Sequence, residues 1–211
     1  MSGLSDRAKE LIPKARIVSF EGWDDLSSDA IARLQAADKA SQYLTDEDLA
    51  VVTEAIPSFD SASHAASLDR LAVAKQLRDQ AADIVDEARA DVLDSYPGIL
   101  EPGGGLYPPM RADACWRDFW QFLRCITYGI AGAHVQYTNA AGLSAMEQLY
   151  EELKVPLPAM VTGLKGIKSA GLSRFEDETQ RAISPYFDHL ITQLSTFLKD
   201  PQKTSTNSPT T

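Results

Sequence analysis

Between residues 97 and 109 the chain reads PGILEPGGGLYPP, and this interruption constrains everything around it. Runs of glycine and proline cannot continue a helix and favour a turn or an exposed loop. On both sides, apolar residues recur at helical spacing. Upstream, SASHAASLDRLAVAKQLRDQAADIVDEARADVLDSYP places Leu68, Leu71, Leu77, Ala81, Ile84, Val85, Ala88 and Val92 at intervals of three and four, with charges on the other face. That spacing predicts one long amphipathic helix from Ser61 to about Tyr96. Downstream, a helix is expected from about Pro109 to Ile130, because a proline costs little in a first turn.

The remaining signals are also helical. Ser27 or Ser28 is a cap candidate ahead of Ile31, Leu34 and Ala37, and Thr45 is another ahead of a short helix that Pro57 ends. Further helices are predicted over Asn139 to Leu153, Pro158 to Ser169 and Phe175 to Leu198, with Pro185 kinking the last. No alternating run is long enough for a strand, so the fold class is all-α. The organisation expected is an N-terminal helical extension over residues 1–30, a helical domain over 31–199, and a disordered polar tail over 200–211. LSDRAKELIPKARIVSF, broken by Pro13, either docks on the body or another subunit, or frays.

Charge excludes whole classes of function. A formal net charge of -10 repels nucleic acid and anionic lipid, and no apolar run is long enough to span a bilayer or serve as a signal core. A cytoplasmic protein with no nucleic-acid partner and no membrane insertion is expected. The two cysteines, Cys115 and Cys125, lie ten residues apart, which on one helix is ~15 Å and too far to bridge. They match no zinc spacing, so no metal is expected.

The chemistry concentrates in RADACWRDFWQFLR, residues 111 to 124. At about 100° per residue, Arg111 and Asp118 fall within one turn of Cys115 on roughly the same face, with Phe119 and Phe122 beside them and Arg117 nearly opposite. A catalytic thiol needs a base, and His64, His134 and His189 are all distant in sequence. A small packed cysteine among core aromatics accounts for the same composition. The residues alone leave both a packed and a working thiol open, and a catalytic role is not expected.

Longer motifs carry a resemblance. PGGGLY, seven residues, CWRD, and then FLRCITYGIAG resemble the phycobiliproteins, light-harvesting globin-like subunits of phycobilisomes, and within them the allophycocyanin branch. The family pattern is P-G-G-N-x-Y, seven residues, C-x-R-D, then L-R and T-Y. Pro102, Gly103, Gly104, Tyr107, Arg111, Cys115, Arg117, Asp118, Leu123, Arg124, Thr127 and Tyr128 fall in register with it. Weaker similarity extends over about residues 65 to 196. The first 60 residues would correspond to the family's protruding helical hairpin and first helix.

The resemblance implies a globin-like helical bundle and a bilin, such as phycocyanobilin, held by a thioether to Cys115. Asp118 would accept hydrogen bonds from the central pyrrole N–H groups, and Arg111 and Arg117 would bind the propionates. Arg124 and Tyr128 correspond to positions at a subunit interface near an acidic residue of the partner's N-terminal hairpin. The implied location is cytoplasmic, at the cytoplasmic face of the thylakoid when joined to a phycobilisome. The implied partner is another phycobiliprotein-like subunit, in a homo- or hetero-oligomer.

Several positions depart from the pattern. Gly105 replaces the asparagine, Met110 replaces the first of two adjacent arginines, and Trp116 and Trp120 are bulkier than usual. Whether those rings line or fill a pigment pocket is open at this stage. Two functions follow: a covalently pigmented, non-enzymatic subunit, or a globin-like accessory protein that holds bilin transiently or serves a bilin-pathway protein. Haem is a third ligand to weigh, with His64 and His134 as internal candidates for the axial position. His134 follows YGIAGA at a helix end, where a capping or surface role fits better, and haem is set aside.

Overall fold

The computed structural model of the protein describes residues 4–54 and 61–198. They form helices α1 (Asp6–Leu11), α2 (Ser28–Ala40), α3 (Asp46–Glu54), α4 (Ser61–Asp79), α5 (Ala81–Ser95), α6 (Pro109–Gly132), α7 (Ala140–Glu152), α8 (Leu157–Leu172) and α9 (Asp177–Ser195). Among the described residues the only strand-like pairing is an isolated bridge between Val18 and Thr138. The all-α class read from the periodicity is the class observed. The Pro57 stop and the 200–211 tail lie outside the described residues.

Local chemistry sets the helix starts. The Ser27 hydroxyl accepts from the Ala30 N–H at 3.2 Å, and Thr45 and Asp48 bond each other's backbone N–H at 3.1 and 3.0 Å, a reciprocal cap. α9 runs through Pro185 without ending there.

One expectation fails. The predicted single helix from Ser61 to Tyr96 is two, divided at Gln80, whose φ of -106° and ψ of 13° leave the helical region. Packing explains the break. α4 lies chiefly on α6, whereas α5 lies chiefly on α8, and one straight helix could not bury its apolar stripe against both.

α6 is the axis of the core. Leu123 and Ile130 are fully buried on it, with Leu77, Ile84, Ile167 and Leu190 closing around from α4, α5, α8 and α9. α8 approaches α6 closely because Gly163 has no side chain: a Cβ there would sit 1.9 Å from Cζ of Phe119.

The N-terminal extension lies against the body. Ala8 and Leu11 of α1 form a small apolar cluster with Ala145 and Leu149 of α7. Ser19 N–H then bonds the Tyr137 carbonyl at 2.8 Å, and Trp23, 1% exposed, stacks on His134 at 4.7 Å between centroids. His134 therefore meets an aromatic face at the end of α6. No helix among the described residues is long and apolar enough to cross a membrane.

Candidate functional site

The site is built where the N-terminal half of α6 meets the end of α7 and the start of α8. Cys115 is 4% exposed, and its thiol lies 3.1 Å from Sδ of Met160 on α8. Burial, with a smaller contribution from the Asp118 charge, pushes the thiol up to about 12. At neutral pH it is a protonated S–H facing a thioether.

Asp118, three residues on, is only partly buried. Its Oδ2 accepts a hydrogen bond of 2.8 Å from the Tyr150 hydroxyl on α7. Burial pushes the carboxyl up to about 6, against the Tyr150 hydrogen bond and the Arg117 charge, which both favour the anion. Oδ1 makes no hydrogen bond within the described residues. Arg117 is exposed, and its guanidinium makes no hydrogen bond or ion pair among the described residues.

Arg111 does something the sequence does not predict. Its Nε donates to the Gly105 carbonyl at 3.1 Å, Nη1 to that of Leu153 at 2.9 Å, and Nη2 to that of Lys154 at 2.7 Å. It thus ties the glycine loop to the C-terminal end of α7, where unpaired carbonyls favour a cation. Of its five N–H groups, two remain for a ligand.

The aromatics divide by face. Phe119 and Phe122 are buried in the core at 0% and 2% exposure. Trp116 packs toward α5, with the Arg89 guanidinium 5.4 Å above its ring and Phe119 5.5 Å away. Trp120 meets Tyr43 edge-on at 5.3 Å, and the Tyr43 hydroxyl donates to its carbonyl at 3.0 Å. Both indoles lie about 100–140° around the helix from Cys115, turned away from Asp118.

Two turns further along, Arg124 is 6% exposed. Its Nη1 donates to Oδ1 of Asp38 at 2.8 Å and to the Tyr128 hydroxyl at 2.9 Å, while Nε donates to Gln121 at 2.7 Å. The Tyr128 hydroxyl in turn donates to the Gln42 carbonyl. The acidic residue that meets Arg124 here belongs to α2 of the same chain. The structure brings Cys115 and Asp118 to one face, with the Arg117 charge acting on Asp118 from the side away from the thiol, and separates Arg124 and Tyr128 from them.

Sequence reasoning missed Tyr150, Met160 and Asp38. Asp38 did leave a signal, an acid beside Leu34 and Ala37 on the buried stripe of α2. Tyr150 left a weaker one, a phenol next to Leu149 whose hydroxyl needs a partner once buried.

A sequence model of the phycobilisome protein family matches residues 32–194. The chain belongs to that family. Its relatives include allophycocyanin subunit alpha-B of Synechocystis sp., 31% identical over 126 residues that make up 60% of this chain and 78% of that one. The allophycocyanin alpha-B chain of a Synechococcus sp. is 33% identical over 127 residues, 60% of this chain and 78% of the relative. Allophycocyanin alpha chain 2 of Microchaete diplosiphon matches over a longer stretch, 29% over 158 residues, 75% of this chain and 93% of the relative. Membership of the phycobilisome family and the globin-like all-α fold agree with what the CWRD and TY motifs imply. The matched region begins four residues into α2, so α1 and the segment after it precede the family's portion.

Proposed function

We propose that this phycobilisome-family chain is a bilin-binding subunit of a light-harvesting assembly, with Cys115 as the attachment point and Asp118 and Arg117 as the polar contacts. It works by binding, with no turnover chemistry. One observation carries the reading: on a single helix, a carboxylate whose Oδ1 accepts no hydrogen bond among the described residues lies beside the thiol and beside an exposed guanidinium that is unpaired among those residues. A linear tetrapyrrole offers the complement, N–H donors at its centre and carboxylates on its propionates. The bilin supplies the conjugated absorber. The protein's residues orient it, neutralise its acids and exclude water. The partner is another phycobiliprotein-like subunit, at the cytoplasmic face of the thylakoid.

Co-expression with a phycocyanobilin pathway and a suitable lyase tests this. The expected product is a coloured protein whose pigment survives denaturing electrophoresis and fluoresces with zinc, and whose Cys115→Ala variant loses the covalent pigment. Covalent retention by Cys115→Ala would overturn the assignment.

The near-complete burial of the thiol against Met160 favours a second reading, an accessory protein that holds bilin reversibly or serves a bilin-pathway protein. Saturable uptake of free phycocyanobilin with no covalent product under any lyase would select it.

A further inference from the structure

We propose that Tyr150 is a positioning residue for the ligand: it pins one oxygen of Asp118 inward, so that the carboxylate presents a single acceptor to converging N–H groups. The inference rests on the bilin-binding reading above and deepens it.

Tyr150 is 4% exposed, and the hydrogen bond its hydroxyl donates runs across two helices, from α7 to Oδ2 of Asp118 on α6, at 2.8 Å. Its place is itself held. The same end of α7 is gripped by Arg111 through the Leu153 and Lys154 carbonyls, so the chain on either side of Cys115 anchors the helix that carries the phenol. A free aspartate turns about its terminal torsion with little preference. Here one oxygen is tethered to a buried group, and that torsion is set.

The consequence is one of shape. A carboxylate with both oxygens free suits a flat fork such as a guanidinium, which it meets bidentately. With one lone pair of Oδ2 given to the phenol, Oδ1 is the oxygen that keeps its full acceptor capacity. One oxygen atom is the better match for N–H groups that converge on a point, as the inner pyrrole nitrogens of a linear tetrapyrrole do. Tyr150 thereby selects a class of ligand without touching it. The hydroxyl also favours the anion of a carboxyl that burial pushes up to about 6, which keeps the acceptor charged near neutral pH.

Tyr150→Phe tests the proposal, because it removes the hydroxyl and leaves the ring. In the pigment-free protein, carboxyl-carbon NMR should show the Asp118 titration moving up by roughly one unit. With phycocyanobilin bound, the long-wavelength band should weaken and its pH midpoint should rise. Asp118→Asn supplies an independent arm: if Tyr150 acts through Asp118, adding Tyr150→Phe to Asp118→Asn should not change the spectrum further, whereas a purely structural role would add a second effect. An unmoved Asp118 titration, an unmoved spectrum, or additive spectral changes would each overturn the inference while the bilin reading stands. A wild-type protein that takes up no phycocyanobilin would defeat both.

Discussion

The two halves of α6 each set an arginine near an aspartate, and they treat the pair in opposite ways. At the C-terminal half, Arg124 is 6% exposed and bonds Asp38 at 2.8 Å, with Tyr128 and Gln121 taking two more of its N–H groups. At the N-terminal half, Arg117 is exposed and unpaired among the described residues, and Asp118 shares its hydrogen bond with a neutral phenol instead of a cation. A buried pair held by several further hydrogen bonds holds structure. A cation and an acid left mutually unbonded at a surface hold capacity for something else.

The largest effect should come from the closed half. Arg124→Ala leaves Asp38 buried with only the 3.5 Å contact to Arg16, and should cost about 3–5 kcal/mol, read as a lower midpoint in denaturant. A loss below about 1 kcal/mol would mean that the pair does not lock α2 onto α6. Next, Arg111→Ala strands three carbonyls at the loop and the end of α7, for roughly 2 kcal/mol. That loss should appear with or without pigment, because the contacts lie within the protein.

The open half should show itself through pH. The folded-state pKa of Asp118, about 6, lies above its unfolded value near 4. Between those values the native state binds the proton more tightly, so the contribution of Asp118 to stability is fully present below about pH 4 and is lost as pH rises through 6. Asp118→Asn should remove that decline in a denaturant series taken at several pH values. The smallest effect on stability is expected for Arg117→Ala, within about 0.5 kcal/mol, since the side chain is exposed and bonds nothing among the described residues.

The same contrast separates what the sequence could and could not disclose. Helix class and most boundaries follow from local periodicity and caps, as at Ser27 and Thr45, where the partner lies three residues away. The division of α4 from α5 was hidden, because no glycine or proline marks Gln80 and the cause is the packing of two different partners. The thiol, Arg117 and Asp118 were readable as a motif. Their surroundings were not, because Met160, Tyr150 and the Leu153 and Lys154 carbonyls met by Arg111 approach from 32 to 45 residues away. Trp116 and Trp120 are the instructive case: their size left open whether they line or fill a pigment pocket, and each packs away from Asp118, Trp116 with Arg89 of α5 and Trp120 with Tyr43 between α2 and α3.

Titration of the purified protein with phycocyanobilin, followed by absorbance, tests the central claim most directly when Arg117→Ala and wild type are compared. The account predicts saturable binding by wild type and roughly tenfold weaker binding by Arg117→Ala at unchanged stability, the loss of one charge-assisted contact. Equal affinities, or no saturable binding by wild type, would contradict it.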